Sequence, residues 1–172
     1  MTLKSLLMGA VATTALAPAA FAERGADGQV NIIYWQAPST MNPFLSGGTK
    51  EVEASSMVIE PLIRFDETGA IVPWLVTDIP SVANGGISED LTQITWTLKE
   101  GILWSDGTPF TSADVKFTYD YCTHPEGGCA QITKFEGIES IETPDDLTVV
   151  INFANPTPYP FAAFGGAESP VL

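Results

Sequence analysis

The sequence predicts an α/β fold with many short strands and few, short helices. The first observation is a series of short runs rich in β-branched and aromatic residues, which are typical of strands. The second is the supply of turn residues between these runs, with 15 Gly and 13 Pro in 172 residues. The third is one clearly marked helix start in the middle of the chain. Together they indicate one ordinary domain in which strands outnumber helices.

The first 22 residues have the features of a secretory signal peptide. Lys4 provides the positive charge, residues 6–16 form a short apolar core, and Ala20-Phe21-Ala22 is a small-x-small cleavage pattern. A buried N-terminal helix is the alternative. The apolar run is too short to span a bilayer, and no cysteine near the cut could be lipidated. We therefore expect a mature chain that begins at Glu23 and is exported to the periplasm without a lipid anchor.

The first elements of the mature chain are a strand, a loop and a helix. Residues 29–35 (QVNIIYW) predict a buried strand, and the Pro-punctuated residues 37–43 predict a loop that ends it. Thr49 is a plausible N-cap for a helix from Lys50 to about Ile59. Pro61 would stop that helix.

Further strands are predicted where apolar runs lie between turn sequences. They cover residues 62–65, 71–76, 91–98, 134–141 and 147–153. The alternation in 91–98 breaks between Leu91 and Ile94, so that strand should begin near Gln93. After Pro156 and Pro158, residues 159–164 predict a short helix.

Residues 98–119 predict a strand, a tight turn and a capped helix in close succession. Residues 105–108 (SDGT) combine an Asp that can bond the local backbone with a Gly that accepts positive φ. Thr111 with Asp114 three residues later matches a capping box, and Phe110 could staple onto Val115. Three apolar residues of the helix are expected to cover the core: Val115, Phe117 and Tyr119.

Cys122 and Cys129 flank a short turn that contains Pro, Gly and His124. In an oxidising compartment, two cysteines this close predict a disulfide. A metal site is the alternative because His124 lies between the thiols. That site would need a fourth ligand and Cys-x-x-Cys spacing, and the sequence has neither.

Charge and residue content argue against several classes of function. The formal net charge of −14 disfavours nucleic acid and anionic lipid as partners. Asp106 and Asp114 could be read as a catalytic carboxylate pair, but both have complete explanations as turn and cap residues. His124 is the one histidine, and no Ser-Gly elbow or HExxH pattern is present. We expect no catalysis and no cofactor.

Several blocks, in order along the chain, resemble the extracytoplasmic solute-binding proteins, family 5, that serve dipeptide and oligopeptide ABC importers. The blocks are residues 40–43 (TMNP), 58–63 (VIEPLI), 69–75 (GAIVPWL), 98–119 (LKEGILWSDGTPFTSADVKFTY) and 138–150 (IESIETPDDLTVV). The resemblance spans essentially the whole mature piece. Ordered blocks of this kind are more specific than any one of them.

The resemblance implies a two-lobed periplasmic binding protein of type II, in the class with an extra subdomain, of which only the N-terminal part is present. Its implied boundaries are 1–22 for the signal peptide, 23–64 for the first segment of lobe I, 65–160 for the smaller subdomain, and 161–172 for the return to lobe I. The second lobe would lie beyond Leu172. Members of the family close on their ligand by a hinge.

The resemblance also implies a function in transport. The protein would be a monomer that captures di- or oligopeptides and delivers them to permease subunits with their ATPase, meeting the membrane only through the permease. In relatives the loop Thr40, Met41, Asn42 and Pro43 lies at the ligand cleft, where its backbone could bond an extended peptide and Met41 would suit an apolar pocket. A plain surface turn is the alternative. Nickel complexes, opines and oligosaccharides are alternative ligands, and an exported hydrolase or a chaperone-like protein are alternative functions.

Overall fold

The computed structural model of this chain describes residue 28 and residues 31–172, and residues 34–172 form one compact unit. The predicted signal peptide lies outside the described residues. In chain order the elements are a 3-10 helix Pro43–Leu45, α1 Thr49–Ser55, β1 Ile63–Phe65, β2 Ile71–Pro73, β3 Gln93–Thr97, α2 Ser112–Thr123, a 3-10 helix Ile132–Phe135, β4 Ile138–Asp145 and β5 Thr148–Phe153. The mixed α/β class is confirmed. Among residues 31–172, no helix is both long and apolar enough to cross a membrane.

The strands form two antiparallel sheets. β1 and β2 make a hairpin, and the other three strands are ordered β3-β5-β4. In the larger sheet Ile94 lies opposite Ile151 and Trp96 lies opposite Val149, and all four side chains are fully buried. The apolar face of this sheet therefore supplies the centre of the core, as its alternating sequence predicts.

Helix α2 packs against the larger sheet and starts as the sequence predicts. The Thr111 N–H donates to Asp114 Oδ2 at 2.7 Å, which closes the capping box. Phe110 and Val115 are buried in the same core cluster, as a hydrophobic staple requires. The prediction that Phe117 covers the core is wrong. Its side chain is 57% exposed and stacks on Tyr121 one turn later.

Two predicted elements are not formed. In residues 31–35 no strand is present, and Ile33 and Trp35 are 96% and 78% exposed. Strand propensity reflects packing against neighbours, and no strand of the described residues pairs with this segment. The predicted helix at 159–164 is a series of turns instead. Phe164 has a left-handed φ of 60°, and its N–H donates to Ser169 Oγ at 3.0 Å rather than into a helical ladder.

Helix α1 is shorter than predicted and starts one residue earlier. Its N-cap is Gly48 rather than Thr49, and the Gly48 carbonyl accepts from the Val52 N–H at 3.1 Å. The helix ends at Ser55, and Ser56 Oγ donates to the Glu53 carbonyl at 2.7 Å. The Met57 N–H bonds the Ala54 carbonyl at 3.3 Å, three residues back, and the chain continues as a turn in which the Val58 and Ile59 N–H groups both bond the Ser55 carbonyl.

Strand bounds also differ at the second hairpin. β4 begins at Ile138 rather than near Lys134, because residues 132–135 form a 3-10 helix. The start of β3 at Gln93 is confirmed, and Leu91 before it has a positive φ of 59°, which accounts for the broken alternation.

Candidate ligand-binding surface

The predicted ligand loop, Thr40 to Pro43, folds as a compact turn with its own hydrogen bonds. Thr40 Oγ1 accepts from the Asn42 N–H at 3.1 Å, and Asn42 Oδ1 accepts from the Phe44 N–H at 2.9 Å. Pro43 is buried at the first position of the 3-10 helix, whereas the Met41 side chain is 42% exposed. The structure thus brings the four residues together and leaves Met41 as the exposed apolar one.

Phe44 fixes this loop to a distant part of the chain. Its side chain is fully buried, its ring centroid lies 6.2 Å from that of Phe135, and its carbonyl accepts from the Ala130 N–H at 2.7 Å. Ala130 directly follows Cys129, which the structure joins to Cys122 at the end of α2 in a disulfide with a Cα–Cα distance of 5.0 Å. The loop is therefore held on the segment that the disulfide closes.

The ring of Phe135 joins three segments that are far apart in sequence. It contacts Phe44 of the loop, Tyr119 of α2 at 6.0 Å and Phe164 of the C-terminal segment at 5.5 Å. The contacts with Tyr119 and Phe164 are edge-to-face, a geometry that aromatic pairs favour, and the contact with Phe44 is tilted. Loop 40–45, the 3-10 helix 132–135 and residues 164–168 consequently meet around one aromatic cluster.

An open cavity of about 310 Å³ lies beside this cluster. Three aromatic side chains, Phe65, Tyr159 and Phe161, form part of its wall, together with an ion pair of 2.6 Å between Lys134 and Glu168. The rest of the lining is small: Ala162, Gly165, Gly166 and Ala167.

The two glycines of this lining cannot be enlarged without a conflict. A Cβ on Gly165 would lie 2.1 Å from the Phe161 carbonyl oxygen. A larger residue at position 166 would have to adopt the positive φ of 78°, and its Cβ would lie 3.3 Å from the Phe65 ring. The glycines therefore allow the turn that brings Phe161 and Phe65 to the same cavity. Thr40 to Pro43 do not line this cavity. Sequence reasoning missed its residues, and the Gly165-Gly166 pair after an aromatic run was the available signal.

The carboxylates considered for catalysis have structural roles. Asp106 Oδ1 accepts from the Thr108 Oγ1 and N–H at 2.7 and 2.9 Å, and these bonds, the side-chain one first, lower the pKa of Asp106. A general acid of a glycosidase needs a raised pKa. Asp114 is occupied by the capping box. Among the described residues, no three His, Cys, Asp or Glu side chains gather closely enough to hold a metal ion.

Comparison with known proteins identifies the family. The sequence model of the bacterial extracellular solute-binding proteins, family 5 (middle region), matches residues 70–172. The chain belongs to this family. Its mixed α/β fold is that of the two-lobed, type II binding proteins.

One sequence relative and two solved structures illustrate the likeness. The chain is 38% identical over 100 residues to a putative ABC transporter peptide-binding protein of Brucella ovis, a match that covers 58% of the chain and 18% of the relative. OppA of Haemophilus influenzae, solved with the peptide RPPGFSPFR, superposes with a TM-score of 0.70 at 20% identity over 79% of the chain and 29% of OppA. NikZ of Campylobacter jejuni, solved with Ni(L-His), gives a TM-score of 0.66 at 26% identity over 80% of the chain and 26% of NikZ. The matched part is therefore under a third of each of these proteins.

Proposed function

We propose that this chain is part of a periplasmic solute-binding protein that captures di- and oligopeptides for an ABC importer and delivers them to its permease, without covalent chemistry. The observation that carries the proposal is the 38% identity over 100 residues to a relative named as a peptide-binding protein, together with the family match over residues 70–172. The identity covers 18% of that relative. The peptide cargo, the permease with its ATPase and the periplasmic location are thus parts of the proposal.

The proposed organisation has a signal peptide at 1–22, lobe I at 23–64, a smaller subdomain at 65–160 and a return to lobe I from 161. Two backbone bonds support a return of the chain at its end. The Leu62 N–H donates to the Phe164 carbonyl at 3.0 Å, and the Val171 N–H donates to the Glu60 carbonyl at 3.0 Å. The second lobe, with which lobe I would close on the ligand, is proposed to lie outside this chain.

In this proposal the peptide lies over the surface built around Phe135. The Thr40–Pro43 turn offers backbone groups, and the exposed Met41 offers a deformable apolar contact. The cavity of Phe65, Tyr159 and Phe161 is apolar enough to receive one aliphatic or aromatic side chain. Peptide capture by this surface would need no nucleophile, metal or cofactor.

Isothermal titration of the whole binding protein, with the second lobe included, tests the class of ligand. The probes are tri-alanine, the nonapeptide RPPGFSPFR, Ni(L-His), an opine and a maltooligosaccharide. We expect saturable heats with the peptides and unchanged peptide by mass spectrometry afterwards. Saturation with another probe and not with the peptides would replace the peptide proposal by that ligand class. Cleaved peptide would support the hydrolase alternative.

A pair of phenylalanine variants tests the cavity. Phe65→Ala removes a 46% exposed ring from the cavity wall, whereas Phe117→Ala removes a 57% exposed ring from α2. We expect Phe65→Ala to lower the affinity for Ala-Phe-Ala relative to tri-alanine by about tenfold, the size of one buried aromatic contact. Phe117→Ala should leave this ratio unchanged. Equal ratios in both variants would exclude the cavity as a side-chain site.

A further inference from the structure

Glu51 is a carboxylate in an unusual place. It lies in the first turn of α1 and is 1% exposed, although Glu53 two residues later is exposed. Burial of a carboxylate is unfavourable unless the charge is paired and hydrogen-bonded. The arrangement around Glu51 therefore has to supply those partners.

All the partners of Glu51 reach the same oxygen. Its Oε1 accepts from the Ser39 N–H at 3.0 Å and from the Ser39 Oγ at 2.8 Å, and it forms an ion pair with Lys50. The Lys50 bond first, and the two Ser39 bonds after it, lower the pKa of Glu51 to about 2. Glu51 is thus ionised at neutral pH, when each of these bonds has a charged acceptor.

The hydrogen bonds between Ser39 and Glu51 hold the two ends of a backbone loop together. Ser39 and Glu51 are 12 positions apart, and the residues between them include the Thr40–Pro43 turn and the 3-10 helix that follows. Gly48 at the other end of this loop approaches the same side chain. A Cβ on Gly48 would lie 2.4 Å from Glu51 Oε2. The carboxylate therefore contacts both ends of residues 39–48.

We propose that Glu51 is a positioning residue that holds loop 39–48 in one conformation before any ligand arrives. An ordered loop loses less conformational entropy when it binds, so the same contacts give a higher affinity. The effect on affinity rests on the proposed peptide function. The effect on loop order does not, and it can be measured in the free protein.

Amide hydrogen exchange of the full chain tests the order of the loop. We expect Glu51→Ala to speed exchange of the Ser39 and Phe44 amides by about tenfold or more, as the loss of bonds to a charged acceptor predicts. Amides of the β3–β5 pair should keep their wild-type rates. Glu53→Ala, an exposed carboxylate of the same helix, is the matched control and should change neither set. Unchanged loop exchange in Glu51→Ala, or an equal increase in loop and sheet, would overturn the proposal.

Three further variants separate a positioning role from general destabilisation. Glu51→Gln keeps an oxygen for Ser39 but loses the charge, so its loop exchange should lie between those of wild type and Glu51→Ala. Ser39→Ala should lie in the same range. Gly48→Ala forces a Cβ onto the carboxylate and should speed loop exchange with Glu51 intact. Unchanged loop exchange in Ser39→Ala would show that the Ser39 hydroxyl contact has no role in holding the loop.

Binding of RPPGFSPFR by the whole binding protein, with the second lobe included, then tests the functional part. We expect Glu51→Ala to weaken binding by about tenfold, in line with its loop exchange, and Glu53→Ala to bind as wild type does. Faster loop exchange with unchanged affinity would overturn the link between loop order and binding. If the wild type binds no peptide, the proposed function fails, and the exchange measurements alone decide the role of Glu51.

Discussion

Two regions of this molecule are held together in different ways. The sheet region, β3 to β5 with α2, is held by backbone pairing between neighbouring strands, and buried side chains alternate along β3 and β5. The loop region, residues 39–48, 124–135 and 160–172, is joined by isolated bonds and ring contacts around Phe135. The comparison shows that a periodic sequence builds the sheet region. Individual long-range contacts assemble the loop region, where the candidate ligand surface lies.

The largest effect is expected in the sheet region. Trp96→Ala empties the centre of the core and should lower the free energy of unfolding by about 3–5 kcal/mol. Trp96 Nε1 has no hydrogen-bond partner among the described residues, so the loss comes from packing alone. Urea denaturation measures it. Thr95→Ala on the opposite face of the strand is the control, with an expected loss below about 1 kcal/mol. Equal losses would contradict the assignment of the core face.

The disulfide should have the next largest effect, and it acts on the loop region. Replacement of Cys122 and Cys129 by Ala should lower the free energy of unfolding by about 2–3 kcal/mol, because the unfolded chain loses a short covalent loop. Urea denaturation with and without reductant measures this. Reductant should destabilise the wild type and leave the double variant unchanged. A wild type that does not respond to reductant would show that the bond contributes nothing to stability.

The third largest effect on stability is expected at the N-terminal cap of α2. Asp114→Ala removes the carboxylate of the capping box and should lower the free energy of unfolding by about 1 kcal/mol. Asp120→Ala is the matched control in the same helix. It loses only an exposed bond to Lys116 of 2.9 Å, which is expected to contribute about 0.3–0.5 kcal/mol. A larger loss of unfolding free energy in Asp120→Ala than in Asp114→Ala would contradict the stabilisation of α2 by its capping box.

The smallest effect is expected from acid titration of an exposed turn. The pKa of Asp106 is lowered in the folded state, mainly by Thr108, so the ionised group stabilises the fold above its unfolded pKa of about 3.9. This contribution is lost as the pH falls through and below that value. Urea midpoints of the wild type and Asp106→Asn should therefore differ slightly at pH 7 and converge in acid. Glu100→Gln, at another exposed carboxylate, is the control. A difference in urea midpoint that grows as the pH falls would contradict a stabilising role of the ionised Asp106.

The sequence-based predictions succeeded where neighbouring residues decide the structure. Thr111, Asp114 and the Ser105–Thr108 turn each depend on contacts within a few positions, and all form as expected. The same reasoning failed for residues 31–35, the described part of the strand predicted at 29–35, and for the helix predicted at 159–164. In both cases the outcome depends on partners far away in sequence, such as the Ser169 hydroxyl that binds the Phe164 N–H.

For the candidate site, the sequence could indicate the Thr40–Pro43 turn because Pro and Asn restrict the local backbone. It could not indicate that Phe44 would join this turn to Ala130, or that Lys134 and Glu168 would meet at a cavity. No periodicity links residues so far apart. The sequence also could not indicate that Glu51 is buried, because a carboxylate in the first turn of a helix gives the same sequence pattern whether it is buried or exposed.

By itself, the sequence determined the α/β class, the start of α2, the turns and the family to which the chain belongs. These follow from local backbone preferences, from alternation along strands and from blocks in a fixed order. Only the tertiary structure decided which loops meet around Phe135, that Glu51 is buried against Ser39, and that 31–35 is not a strand. Those outcomes depend on burial and on long-range contacts, which a one-dimensional pattern does not contain.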